Sequence, residues 1–322
     1  MFHNKQDGTF EEWTGKHGFS LVETASRGAS PADYDGDGDV DLFVHNYVLQ
    51  GNLLYRNNGD GSVSESAQTV GVKGNPRFYA AYKYGHSIGS AWGDLDNDGD
   101  LDLVVGNLAH PRFWHFSDRT QLLINDGKGA FKDISGKHDK PHGNSSGLRY
   151  QETHSVPLLG DFDNDGNLDL VLTCVYDGRP TDFYWGQGNG TFKLDTYTTG
   201  ISTDNGWGIA ASDYDRDGDL DLFATHLFRN DHGGLAGRNW LQVRVVGGAK
   251  SNRAGIGAVV RVKAGSRTLV RHVQGGTGKG CQDSLYLHFG LGSAGSAGPI
   301  EVRFPGAGKV SYAGPFKAGQ RV

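Results

Sequence analysis

Short apolar stretches alternate with dense runs of aspartate and glycine over the first two thirds of the chain. Four such runs align without gaps: DYDGDGDVDLFV (33–44), DLDNDGDLDLVV (94–105), DFDNDGNLDLVL (161–172) and DYDRDGDLDLFA (213–224). Each ends in apolar strand formers. The starts lie 61, 67 and 52 residues apart, a spacing that marks a repeat architecture with one supersecondary element per unit. A second signature interleaves with the first: FHNKQDGTF (2–10), YRNNGDGSV (55–63), LINDGKGAF (123–131) and YWGQGNGTF (184–192). Asn, Asp and Gly between apolar ends supply the positive φ of a tight hairpin turn. Each unit therefore reads strand, acidic loop, strand, connection, strand, glycine turn, strand. Four antiparallel strands per unit predict a blade of a β-propeller. Four blades are counted, as a whole ring or as part of a larger one. A further start, FRNDHGG (228–234), breaks off. The chain thus begins inside one hairpin, at Phe2, and the last unit stops inside another, at Phe228. This predicts that residues 2–12 pair with the strand near 220–230 and complete the last blade.

From residue 238 the pattern changes. RNWLQVRVVG (238–247), RTLVRHVQGGTG (267–278), QDSLYLHFGLG (282–292) and PIEVRF (299–304) alternate with period two between glycine turns. They predict a small β-sandwich. The division expected is a propeller over 1–235 and a sandwich over 236–322. The run GGTGKG (275–280) lacks the spacing and following helix of a phosphate loop and reads as a turn.

Composition supports an all-β chain. Glycine makes up 51 of 322 residues and methionine one, which suits short strands and tight turns better than helices. No apolar run reaches the ~18 residues of a membrane-spanning helix, and residues 1–20 lack the basic start and apolar stretch of a signal peptide. Two cysteines, Cys174 and Cys281, cannot form a disulfide framework; the reading expects two thiols.

Charge changes the picture more. Of 37 acidic residues, 19 fall in the four loops, so the negative charge is knotted and calls for counter-cations. In the first loop, side-chain oxygens stand at positions 1, 3, 5 and 9: Asp33, Asp35, Asp37 and Asp41, with Asp39 at position 7. The equivalent sets are Asp94, Asp96, Asp98, Asp100 and Asp102; Asp161, Asp163, Asp165, Asn167 and Asp169; and Asp213, Asp215, Asp217, Asp219 and Asp221. Hard anionic oxygens on a flexible glycine-containing loop suit Ca²⁺ better than Mg²⁺, which demands stricter octahedral geometry. About four Ca²⁺ are expected, one per loop. An EF-hand begins alike but needs a bidentate Glu at position 12 and flanking helices. Position 12 is Val44, Val105, Leu172 or Ala224, and strand formers follow.

The D-x-D-x-D-G-x-x-D-L loops with N-x-x-D-G-x-F hairpins resemble FG-GAP/VCBS propeller repeats over about 1–232. The resemblance implies that the loop carboxylates bind calcium. The run N-W-L-x-V, S-N-R-x-G-I-G-A, G-G-x-G, Q-D-S-L-x-L-H-F-G-L resembles the ASPIC/UnbV domain over about 238–310, with Arg253 and His288 inside matching segments. The combination resembles the cartilage acidic protein-like and UnbV-like family, whose members usually carry more repeats than four. It implies an extracellular or secreted module for adhesion, interaction or structural assembly, with a protein or carbohydrate partner or self-association.

A second reading makes the chain a calcium-stabilised enzyme of the lyase, cyclase or isomerase type. Arg27, His86, His154 and Trp207 stand six to eight residues ahead of the loops, where the innermost strands begin and would border a central channel. A cavity holding them could bind an anion and move protons. Aromatic segments FYAAYKY (78–84), HPRFWHF (110–116) and TDFYWG (181–186) offer stacking surface for a sugar or a protein, Phe113 and Trp114 foremost, unless they pack on the blades. Asn144 and Asn189 head glycosylation sequons. No zinc spacing, Ser-His-Asp pattern or nucleic-acid module stands out.

Overall fold

The structure, a computed structural model, describes residues 1–75, 84–109, 118–136, 146–149, 153–231, 237–277 and 279–322. It opens with a hairpin of β1 (Phe2–Asn4) and β2 (Phe10–Glu12), paired with each other and exposed on both strands. Three four-stranded antiparallel sheets follow, each in sequence order. The first holds β3 (Ser26–Ala32), β4 (Asp41–Asn46), β5 (Leu53–Asn57) and β6 (Val63–Glu65). The second holds β7 (Ser87–Gly93), β8 (Asp102–Asn107), β9 (Gln121–Asn125) and β10 (Phe131–Asp133). The third holds β11 (His154–Gly160), β12 (Asp169–Cys174), β13 (Asp182–Gly186) and β14 (Phe192–Leu194). A fourth sheet has three strands, β15 (Ala210–Ser212), β16 (Asp221–Ala224) and β17 (His226–Phe228). One four-residue helix, α1 (Ala67–Val70), follows β6.

Strand alternation explains how the blades stack. Along β8, Leu103 and Val105 pack with Phe43 and Leu54 of the first blade, while Val104 packs with Leu170 and Tyr184 of the third. Successive side chains point to opposite sheet faces, so each central strand feeds two interblade cores. A third core joins the third and fourth blades through Val171, Phe183, Leu220 and Leu222.

The expected pairing of residues 2–12 with the strand near 220–230 is not found. β1 pairs with β2, and β17 with β16. The repeat accounts for this: Phe2, Tyr55, Leu123, Tyr184 and Phe228 occupy one column of the hairpin signature. Both ends of the repeat region therefore bring a third strand, and a blade has room for one.

The C-terminal strands are β18 (Asn239–Arg244), β19 (Val259–Ala264), β20 (Arg267–His272), β21 (Tyr286–Gly292), β22 (Ser296–Ala297), β23 (Ile300–Phe304), β24 (Gly308–Tyr312), β25 (Phe316–Lys317) and β26 (Gln320–Arg321). One sheet runs β21-β18-β26 and the facing one β20-β19-β23-β24. Leu241, Val243 and Phe289 of the first meet Val260, Val262 and Val302 of the second in one core, which makes a sandwich. The segment between β20 and β21 leaves the sandwich and lies along the innermost strands. Thr277 O accepts from Ser90 N–H at 3.4 Å, Asp283 Oδ1 from Ala211 N–H at 2.9 Å, and Gly275 lies near Pro31. Thr277 N–H donates to Cys281 O at 3.0 Å, closing the turn expected at 275–280. Cys174 and Cys281 are both free thiols.

Candidate metal centres

The acidic loops join the first and second strands of each blade. In every loop the carboxylates at positions 1, 3 and 9 converge. Asp33, Asp35 and Asp41 present oxygens within 4.8 Å of one another; so do Asp94, Asp96 and Asp102; Asp161, Asp163 and Asp169; and Asp213, Asp215 and Asp221. The position-5 residues Asp37, Asp98, Asp165 and Asp217 lie outside these groups. Each accepts from the N–H of position 7, at 2.9 Å from Asp39, 3.1 Å from Asp100, 2.7 Å from Asn167 and 3.2 Å from Asp219. Position 3 likewise accepts from the N–H of position 5. These turns wind the loop so that the carboxylates of positions 1 and 3 gather with that of position 9, at the start of the second strand.

Position 9 carries a second duty that the sequence did not announce. Asp102 Oδ2 accepts from Leu95 N–H at 2.7 Å and Oδ1 from Asn125 N–H at 2.8 Å. Asp41, Asp169 and Asp221 make the same two bonds, to Tyr34 and Asn57, Phe162 and Gly186, and Tyr214 and Asn230. This aspartate ties its own loop to the hairpin of its blade. Asn125 and Asn230 extend the tie, each donating from Nδ2 to the position-2 carbonyl of the preceding blade, Tyr34 at 2.8 Å and Phe162 at 2.7 Å.

Position 1 is left incomplete. One oxygen each of Asp33, Asp161 and Asp213, and both of Asp94, are buried without a hydrogen-bond partner. An uncompensated buried carboxylate is costly. Burial pushes Asp94 and Asp161 up to about 7, and Asp41 and Asp102 up to about 8, with the neighbouring aspartates adding to the effect. Converging carboxylates with buried, unpartnered oxygens fit a hard divalent metal ion.

Cations do approach from the other side, and this too was illegible in the sequence. The C-terminal sheets lie across all four loops. Arg303 donates to Gly36 O and stands 3.9 Å from Asp33. Arg261 donates to Gly99 O at 3.1 Å. Arg267 reaches Asp165 O at 2.8 Å and Asn97 Oδ1 at 3.2 Å, bridging the second and third loops. Arg238 pairs with Asp163, Arg271 lies 3.7 Å from Asp161, and Arg321 binds Asp213 Oδ2 at 3.0 Å. His288, buried beside Gln242, contacts Asn164 Oδ1 at 2.5 Å; burial lowers its pKa to about 3, with Arg271 and Arg321 contributing. Arg253 is exposed and has no such contact to a loop among the described residues.

The four channel candidates do not form one cavity among the described residues. Arg27 lies over the Tyr47 ring at 4.3 Å, and that ring meets His86 at 4.6 Å. His154 turns instead into the blade, 3.0 Å from Thr120 Oγ1 and 3.2 Å from Asp182 Oδ2. Trp207 is half-exposed beneath Lys279 at 5.3 Å. Gln274, Thr277 and Asp283 lie against the inner strands, at Trp92, Ser90 and Ala211. His154, Cys174 and Asp182 also gather within 4.8 Å. There the Arg149 guanidinium on Asp182 already supplies the cation. Burial works to raise the Asp182 carboxyl, yet His154 and Arg149 hold it below the ordinary range. Of the aromatic segments, Phe183 and Tyr184 are core residues; residues 78–83 and 110–116, with Phe113 and Trp114, lie outside the described residues, as does Asn144. Asn189 is exposed in a hairpin turn, where Oδ1 accepts from Thr191 N–H at 3.1 Å.

Fold and loops together define a class: an all-β repeat protein whose blades each carry an acidic loop able to hold a metal ion. The model of the FG-GAP-like repeat matches residues 1–44, 33–105 and 161–224, and that of ASPIC and UnbV matches 248–322. Cartilage acidic protein 1 of Xenopus tropicalis is 29% identical over 301 residues, covering 88% of this chain and 42% of the relative. The Homo sapiens protein of that name is 29% identical over 308 residues, covering 89% and 42%. This chain thus spans less than half the length of those relatives. Among solved structures, the Vibrio cholerae biofilm matrix protein Bap1 aligns with a TM-score of 0.29 at 18% identity, over 66% of this chain and 30% of that one. The chain belongs to the FG-GAP repeat family and carries an ASPIC/UnbV domain.

Proposed function

We propose that the protein is a calcium-loaded propeller-type scaffold, working outside the cell as an interaction or structural-assembly module. The observation that carries the reading is the fourfold recurrence of three converging carboxylates, one of them with a buried, unpartnered oxygen. Asp33, Asp35 and Asp41 and their equivalents in the other loops would hold the ions. The metal supplies positive charge at points where the fold gathers negative charge. This chain's own residues do the rest: position 9 fixes the loop to its hairpin, and Arg303, Arg261, Arg267 and Arg321 join the loops to the C-terminal sheets. The division at about residue 235 separates the part that holds metal from the part that covers it. The extracellular setting follows from cation demand, since calcium at extracellular levels fills sites that cytosolic levels leave empty. The similarity to cartilage acidic protein 1 supports it. No helix among the described residues is long and apolar enough to cross a membrane.

Chelation tests this reading. A metal that binds only the folded state stabilises it by about 2.7 kcal/mol per site at a hundred times its dissociation constant. Thermal unfolding in calcium and in EGTA should therefore differ by well over ten degrees. Coincident curves would refute it.

A further inference from the structure

The repeat allows each blade to be compared with the others, position by position. Three apolar positions line the face that a blade turns toward its successor. They are the second residue of the loop (Tyr34, Leu95, Phe162, Tyr214), the eleventh (Phe43, Val104, Val171, Phe223) and the second residue of the third strand (Leu54, Leu122, Phe183, Leu227). In the first three blades all nine are 0–4% exposed. In the fourth, Tyr214, Phe223 and Leu227 are 50%, 57% and 53% exposed. The fourth blade thus presents, uncovered, the face that is interblade core three times over in the same molecule. Large rings and a leucine grouped on one sheet face mark an interaction site.

The opposite end of the blade series carries the matching half. In the second, third and fourth blades, the side chains that cover a preceding blade include Leu103 and Val105, Leu170 and Leu172, and Leu222 and Ala224, all buried. Their counterparts in the first blade, Leu42 and Val44, are only half-buried, as is Val40 in the loop. Every described interface between blades joins a face of the first kind to one of the second, and among the described residues one face of each kind meets no other blade. We infer that the exposed face of the fourth blade docks the first blade of a second copy of this chain. The contact is heterologous, with different patches on the two partners, and it continues the packing that already joins β5, β9 and β13 to their neighbours. This rests on the reading of the chain as an interaction module but not on its calcium.

The test is the mass of the purified full chain in calcium, by light scattering after size exclusion, from low to high micromolar protein. The wild type should form an assembly of two or more 34.7 kDa chains. Phe223→Lys with Leu227→Lys should dissociate it, raising the dissociation constant at least tenfold, with calcium content and circular dichroism unchanged. Both side chains are exposed, so the exchange leaves the fold of one chain intact. Val44→Lys on the first blade should also prevent association. Mixed with the double variant, it should restore a complex, because each partner then keeps one good face. A wild type that stays single throughout would overturn the inference, leaving the face to another protein. So would an assembly that the double variant does not take apart. Normal calcium content in a chain that stays single would overturn this inference alone, whereas absent calcium would strike the functional reading.

Discussion

Asp102→Ala separates the two duties of the position-9 aspartate. Its side chain is fully buried and accepts from Leu95 N–H at 2.7 Å and Asn125 N–H at 2.8 Å. Alanine leaves both buried donors without a partner. Each orphaned group costs about 1–3 kcal/mol, so the loss should be about 2–6 kcal/mol before any metal is considered. In calcium the same change also removes a carboxylate from the group with Asp94 and Asp96, and the loss should be larger. The assay is urea unfolding of wild type and variant, each in calcium and in EGTA. Asp98→Ala is the control. That residue is exposed and makes one bond within the loop, to Asp100 N–H at 3.1 Å, so the change should cost about 1 kcal/mol or less. If Asp102→Ala loses under about 1 kcal/mol in EGTA, the tie between loop and hairpin does not carry stability and the reasoning is wrong.

Two further outcomes follow from packing and from the cover over the loops. Phe43→Ala, at a fully buried position between the first and second blades, should cost about 3–5 kcal/mol by cavity formation, read by the same urea titration. Arg321→Ala should cost about 1.5–3 kcal/mol, the range for a hydrogen bond to a charged group, because Asp213 loses its guanidinium partner. Limited proteolysis should then cut near the C terminus faster than in wild type, and an unchanged cleavage rate would argue against the contact.

The elements that the sequence revealed are those written in local chemistry. Loop positions 1, 3 and 9 could be named because aspartate recurs there four times at fixed offsets, and the hairpins because glycine and asparagine mark their turns. Alternation in RNWLQVRVVG and its companions likewise exposed the sandwich. Long-range contacts left no such trace. Arg303 and Arg321 sit in strands as any surface arginine would, and only the docking of the sheets puts them on the loops. His154 looked like a channel residue from its place ahead of a loop. Which neighbour a strand's first side chain turns to depends on interblade packing, and Thr120 and Asp182 decided it. Residues 2–12 pair among themselves for a reason visible in the repeat itself: Phe2, Tyr55 and Phe228 share the third-strand column. Position 5 carries a contact that its spacing did not announce: its carboxylate accepts from the N–H of position 7.

The account stands on the four loops holding metal, and calcium binding to the chelator-stripped chain measures that directly. Isothermal titration should return four Ca²⁺ per chain, with carboxylates at positions 1, 3 and 9 of each loop as the source. Asp94→Asn, which removes charge at a buried position with two unpartnered oxygens, should reduce the count to three while the chain stays folded. A wild-type count of zero or one, or an unchanged count in the variant, would contradict the account.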